Sequence, residues 1–335
     1  MSFLSTFLVG VVIAGGAYFI AGAVLAASQT PSAPSAKKGE GLQFGHLPAL
    51  DTRTVPAPET FRAGDGAELV YRRWPGESAR SPALILLHGS TWHGRQFWHL
   101  AAQLAAQGIE VIVPDLRGHG EAPHKRGDVG HIGQLEDDIA DLVAHLGLKA
   151  GERKLVIGGH SSGGGLTVRF AGGPHASLAD GFVLLAPYLG YRAPTARPHS
   201  GNWAYPATRR IIGLSMLNAA GVHHLDHLPV IAFAVPDLVR RSPLGKTVTD
   251  TYSHRLLTSY SPRRDYTADL AAIDRPLLLI AGAEDEAFHA DQFEPTISAH
   301  TATGRYHLID GENHLGIVDN EQTAPLIADW LKEHF

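Results

Sequence analysis

A serine hydroxyl is a weak nucleophile at neutral pH and gains reactivity from an adjacent base that a third group holds in place. The segment Gly159-His160-Ser161-Ser162-Gly163 sets a hydroxyl between two glycines, after the apolar run Lys154–Ile157 and before a helical stretch. A G-x-S-x-G segment at a strand-to-helix turn is the arrangement that lifts a nucleophile above a sheet. The turn is tight, so side chains two before and two after the serine would strike the neighbouring strand and helix. The serine oxygen then lies near the positive end of the helix dipole. Ser162 is the competing hydroxyl, but choosing it would put His160 at a small-residue position. Ser161 is therefore the expected nucleophile, and acyl transfer through a covalent intermediate is the expected chemistry.

In chains of this organisation the acid and then the base follow the serine. The run Pro276–Ala281 reads as a buried strand leading into Gly282-Ala283-Glu284-Asp285. Asp285 lies just past its C-terminal end and is the expected acid. Glu284 and Glu286 are the alternatives and read as solvated loop charges. Beyond the strand Arg305–Ile309, the loop Gly311-Glu312-Asn313-His314 supplies His314 as base; His307 falls within that strand and reads as structural. His289 and His300 belong to the preceding helical segment. A developing oxyanion needs hydrogen-bond donors. The backbone N–H groups of Ser162, next after the nucleophile, and of Ser90, in the loop His88-Gly89-Ser90 that follows Leu84–Leu87, are the expected pair. His88 reads as a buried histidine organising that loop, and Asp115 to Gly120 as a structural turn.

These residues need a rigid frame. Short apolar runs recur at Glu68–Trp74, Ala83–Leu87, Glu110–Pro114 and Gly181–Leu185 besides those above. Several are apolar throughout, as strands covered on both faces are. Helical patterns lie between them over Phe97–Gln107, Gln134–Leu148 and Leu166–Ala171. Thr323–His334 closes the chain with Leu326, Ile327, Trp330 and Leu331 at helical spacing. Strand–helix alternation predicts an α/β fold with a mainly parallel central sheet flanked by helices. Tyr188 to Thr267 breaks the rhythm: it lacks a convincing buried strand and carries apolar helical pieces at Arg209–Ala220 and Val230–Val239. It reads as a helical cap inserted above the C-terminal ends of the strands, where ligands bind in such sheets.

The ordered set His88-Gly89, Asp115 to Gly120, Gly159 to Gly163, Asp285 and His314 resembles the α/β-hydrolase superfamily. It is most similar to the branch of lysophospholipases, monoacylglycerol lipases and serine aminopeptidase-like enzymes. The resemblance runs from about Ala67 to the C-terminus and is weakest in the cap. It implies a serine hydrolase that cleaves carboxylic esters, lipid-like or small, with no cofactor and no metal. Peptidase, amidase and haloperoxidase-like activities belong to the same fold and stay open, as does a non-catalytic binding protein tethered to a membrane. Dehalogenases and epoxide hydrolases of this fold carry aspartate at the elbow, so Ser161 disfavours them.

The apolar cap residues Ile211, Ile212, Leu214, Met216, Leu217, Ile231, Phe233 and Val235 read mostly as packing, with Trp92 and Trp98 near the oxyanion loop. An apolar lid together with a membrane anchor favours an acyl ester or lipid-like substrate over a charged peptide. His223, His224 and His227 are the one cluster that invites a metal reading, and their spacing lets only two of them share a helix face. Net charge is −5 without a basic cluster, which excludes a nucleic-acid partner. The absence of cysteine removes disulfides, thiolate metal sites and cysteine nucleophiles. The first 27 residues carry no charge and are almost wholly apolar, as in a bilayer-spanning helix. They predict a single-pass membrane anchor, the alternative being an export signal that is cleaved. The expected organisation is an anchor or signal over 1–27 and a flexible linker over 28–60. The hydrolase core follows over 61–187 and 268–335, split by a helical cap over 188–267.

Overall fold

Runs of leucine, isoleucine and valine with no polar member have no solvent face to offer, and they become the middle of the sheet. A computed structural model describes residues 3–35, 41–43, 55–121, 124–148 and 153–335, with side chains described at Phe7 and from Val11 onward. Strands β1 (Glu59–Arg62), β2 (Glu68–Trp74), β3 (Ala83–Leu87), β4 (Glu110–Pro114), β5 (Leu155–His160) and β6 (Gly181–Leu185) come first. An insert carries β7 (Ala204–Pro206), β8 (Pro229–Phe233) and β9 (Thr251–Ser253), and β10 (Leu277–Gly282) and β11 (Gly304–Ile309) complete the set. The main sheet has the order β1-β2-β4-β3-β5-β6-β10-β11. Its first two strands are antiparallel to their neighbours and the rest are parallel. Every residue of β3, β4, β5, β6 and β10 is buried. The strands expected from the sequence fall where expected to within a few residues.

Helices cover this sheet. Trp98–Ala105 packs against Thr323–His334, while Gln134–His145 and Ser162–Ala171 both meet His254–Tyr260. Parallel order puts the C-terminal ends of β3, β5, β10 and β11 at one edge, so the loops after them converge there.

The insert between β6 and β10 is less helical than its sequence suggests. Thr208–Ala219 forms the expected helix, but Val230–Val239 does not. Val230, Ile231 and Phe233, β-branched or aromatic and bounded by Pro229 and Pro236, form the buried centre of a three-stranded antiparallel sheet, β7-β8-β9. Only Asp237–Arg240 beyond Pro236 is helical.

The N-terminal reading needs correction. Among the described residues no helix is long and apolar enough to cross a membrane, so the single-pass anchor does not stand. Phe3–Ala27 forms one helix. Its last turns serve the fold instead. Ala26 is buried with Leu214, Leu217 and Val230 of the insert, and Arg210 Nε donates to the Ala26 carbonyl at 2.8 Å. A side chain on Gly213 would come within 2.4 Å of the Gly22 carbonyl oxygen, so two small residues set how closely the helices approach.

Of the expected linker, residues 36–40 and 44–54 lie outside the described residues. Within it, Gln43 donates its N–H to Glu286 Oε1 at 2.8 Å, and β1 begins at Glu59.

Candidate active site

β5 ends at His160, the helix Ser162–Ala171 begins two residues later, and Ser161 alone makes the turn, at φ 55° and ψ −117°. Non-glycine residues avoid that region, and holding one there costs about 1–3 kcal/mol. Three hydrogen bonds hold it. Ser161 N–H donates to the Leu185 carbonyl at 3.0 Å, and its own carbonyl accepts from Gly165 and Tyr188 at 3.0 and 2.9 Å. The flanking glycines are required by contact. A Cβ on Gly159 would sit 2.3 Å from the Gly163 carbonyl, and one on Gly163 would sit 2.0 Å from the Leu87 carbonyl oxygen.

The loops after β10 and β11 bring Asp285 and His314 together, both buried. His314 Nδ1 and Asp285 Oδ2 are 2.8 Å apart. Asp285 Oδ1 accepts from the N–H groups of Ala287 and Phe288, both at 2.8 Å, which fixes the carboxylate's orientation. Burial works against the imidazolium of His314, but the charge and hydrogen bond of Asp285, with Glu286 behind it, outweigh burial and raise the ring above its ordinary value. Glu284 is exposed, as its reading required. Glu286 departs from the solvated role expected of it, because its Oε2 accepts the backbone N–H of His314 at 3.0 Å. Ser161 and His314 line one cavity.

The loop after β3 is fixed from several sides. His88 is wholly buried, donates from Nδ1 to the Gly89 carbonyl at 2.8 Å and accepts from Leu116 N–H at Nε2 at 3.1 Å. Burial pushes it down to about 4, so it is neutral and organises the loop. Gly89 N–H donates to Gln96 Oε1 at 2.8 Å, and Gln96 Nε2 donates to His160 Nδ1 at 2.6 Å. His160 Nε2 donates in turn to the His314 carbonyl at 2.8 Å. This chain ties the β3 loop to the elbow and to the loop that carries His314. Sequence reasoning missed Gln96 and His160. His160 could have been found from its place inside the elbow, whereas nothing local marks Gln96.

Thr91 N–H donates to the Tyr252 hydroxyl at 2.6 Å, and that hydroxyl meets His119 Nε2 at 2.8 Å. His119 Nδ1 faces the Arg117 carbonyl at 3.2 Å, so Nε2 is the acceptor and the Asp115 to Gly120 turn braces the loop. Between Gly89 and Thr91, the Ser90 N–H has no partner among the described residues. The Ser90 hydroxyl accepts from Trp203 Nε1 of the insert at 2.9 Å. Ser162 opens the helix, where the first N–H groups lack intrahelical partners.

The cavity measures about 800 Å³ with its open mouth. Trp92, Trp98, Leu315 and Val318 of the core line it, with Leu42 and the insert's Trp203 and Leu244. Most of the insert's apolar residues serve packing within the fold. Leu214 and Leu217 pack under Ala26, Phe233 packs on Tyr252 and Trp203, and Ile212 is exposed. Among the described residues no group of three or more His, Asp or Glu side chains is arranged to hold a metal. Of the histidine cluster, His223 Nδ1 bonds Asn218 Oδ1 at 2.5 Å, and His227 Nδ1 donates to the His224 carbonyl at 2.8 Å.

The strand order, the strained elbow and the loops gathered over it define an α/β-hydrolase. The family model of serine aminopeptidase S33 matches residues 78–321, and the chain belongs to that family. The monoacylglycerol lipase of Mycolicibacterium smegmatis is 29% identical over 154 residues, 40% of this chain and 54% of that protein. The non-heme haloperoxidase of Rhodococcus erythropolis is 28% identical over 244 residues, 67% of this chain and 81% of that protein. The chain thus spans about half the length of the first of these relatives. A solved structure of a soluble variant of monoglyceride lipase from Saccharomyces cerevisiae matches with a TM-score of 0.63 at 20% identity, covering 86% of this chain and 98% of the other. That likeness is one of fold.

Proposed function

We propose that this hydrolase is a carboxylic esterase acting through Ser161, His314 and Asp285. In this reading Ser161 Oγ attacks the acyl carbonyl while His314 Nε2 takes its proton. Asp285 holds the imidazole by its Nδ1–H and stabilises the imidazolium that forms. The N–H groups of Ser90 and Ser162 receive the oxyanion, each worth about 2.7–4 kcal/mol in such sites. His314 then protonates the leaving alcohol, and a water, deprotonated by the same imidazole, releases the acid and regenerates Ser161.

One observation carries the reading: His314, paired with buried Asp285 at 2.8 Å, lines the same cavity as a serine in a strained turn. The idle N–H of Ser90 beside two engaged neighbours supports its role as a donor. Tryptophan and aliphatic side chains dominate the lining, which supports an acyl ester over a charged peptide. The match to a monoacylglycerol lipase agrees with that choice, and we place the insert over the site as its cap.

The test is turnover of p-nitrophenyl esters of graded chain length beside the corresponding p-nitroanilides. Esters should be cleaved by the wild-type protein and not by Ser161→Ala. Faster cleavage of anilides would replace the esterase by an amidase on the same triad.

A further inference from the structure

Glu286 makes two bonds that the proposed catalytic steps do not use. Its Oε2 accepts the His314 N–H at 3.0 Å, and its Oε1 accepts the Gln43 N–H at 2.8 Å. One carboxylate thus joins the loop that carries His314 to residues 41–43, which lie ahead of the first strand. Leu42 of that segment lines the same cavity as Ser161 and His314 and packs on the main core. Gly41 holds a φ of 79°, and a Cβ on it would meet the Gly201 and Asn202 carbonyl oxygens of the insert at 3.6 Å. Gly201 in turn admits no side chain, because its Cβ would sit 2.1 Å from the Glu286 carbonyl oxygen. The segment, the insert and the loop of His314 therefore meet at Glu286.

A carboxylate suits this place. It accepts at both oxygens, whereas the amide of a glutamine carries one acceptor and one donor group and could serve only one of two N–H groups. Its charge also makes both bonds stronger than neutral ones. Burial lowers the His314 imidazole, and the charges of Asp285 and then of Glu286 raise it. The ionisable ring that faces His314 is His160, with ring centres 4.6 Å apart, and burial followed by His314 pushes it well below its ordinary value. His160 is therefore neutral, and the two carboxylates are the charges that act on the His314 ring.

We propose that Glu286 is a positioning residue that ties the segment 41–43 to His314, so that this segment forms a wall of the substrate pocket with Leu42 against the apolar chain of the ester. The proposal rests on the esterase reading of Ser161. Fit of the substrate at Leu42 and orientation of His314 are then linked through one carboxylate.

Three variants test this on two ester series. Comparing p-nitrophenyl octanoate with p-nitrophenyl butyrate lengthens the acyl half, and comparing octyl acetate with butyl acetate lengthens the alcohol half. Gln43→Pro deletes the N–H that Glu286 accepts and keeps every charge, and Leu42→Ala removes the wall. Both should lower the long-to-short ratio of kcat/KM by about tenfold in one series, through KM, as loss of apolar contact does in a substrate pocket. The series that responds names the half of the ester that Leu42 meets. In both variants the acid limb of the pH–rate profile should stay in place. Glu286→Gln should lower the same ratio and also reduce kcat by about tenfold, the worth of one hydrogen bond. Its acid limb should move to lower pH, because a charge that raises His314 is gone and the ring stays neutral further down. An unmoved limb in folded Glu286→Gln overturns the proposal, since a merely structural glutamate would leave it there. A ratio unchanged in both Gln43→Pro and Leu42→Ala overturns it equally, and decides the matter even where Glu286→Gln does not fold. Wild-type protein that cleaves neither series would instead remove the esterase reading, and this proposal with it.

Discussion

The loops at the C-terminal edge of the main sheet and the insert above them differ in how their residues are constrained. In the loops, the constraint is local backbone geometry. Gly159 and Gly163 stand where any side chain would strike a carbonyl, and Ser161 holds a dihedral that few residues adopt. In the insert, the residues that reach the site do so by tertiary contact. Trp203 bonds the Ser90 hydroxyl and Tyr252 bonds the Thr91 amide, and neither sits in a recognisable motif. Chemistry carried by backbone constraint is written as short patterns, whereas chemistry carried by packing is spread over distant positions.

The difference can be broken at its strongest point first. Asp285→Asn keeps the shape of the loop but loses the charge that raises His314 above its ordinary value against the pull of burial. In the proposed mechanism His314 accepts the proton only when neutral, so wild-type kcat/KM should fall as pH drops through a value above the usual imidazole range. In the variant, burial prevails and that acid limb should move to lower pH. We expect kcat/KM to fall by about 10⁴ at its plateau, as a misoriented imidazole gives. A pH–rate profile of the two proteins measures both effects.

Tyr252→Phe tests the insert's hold on the loop after β3. It removes one hydroxyl and leaves both Thr91 N–H and His119 Nε2 without their partner. Stripping a buried group of its bond costs about 1–3 kcal/mol, so thermal unfolding should shift down and kcat should fall by about tenfold. A drop in stability with kcat unchanged would show that Tyr252 supports the fold and not the loop.

The smallest effect is expected at Ile212→Ser. Ile212 is 47% exposed and lines no part of the cavity, so stability should change by less than about 0.5 kcal/mol and ester turnover not at all. A marked change in chain-length preference would mean that this face of the insert meets substrate.

Much of the site was legible in the sequence because order and spacing along parallel strands determine which loops converge. Asp285 and His314 could be picked out as the acid and base candidates at the ends of two apolar runs, and they are hydrogen-bonded in the structure. Ser90 could be placed by its strand alone. The Gln96–His160 link was not legible, since nothing local marks Gln96 even though His160 lies inside the elbow. Glu286 was misread as a solvated charge because its partner, the His314 amide, lies far along the chain. The stretch 230–233 was misread because apolar residues between prolines fit a short helix or a short strand alike, and only pairing with β7 and β9 decides. The N-terminal segment was misread as a membrane span because composition does not show that Gly22 and Ala26 pack on Leu214 and Leu217.

The most direct test is covalent labelling of the purified protein by a fluorophosphonate, followed by mass spectrometry of the labelled peptide. The wild-type protein should carry one label, on Ser161, with labelling lost in Ser161→Ala and strongly slowed in His314→Ala. A folded wild-type protein that takes no label, or takes it on Ser162, would contradict the assignment of Ser161 as the activated nucleophile.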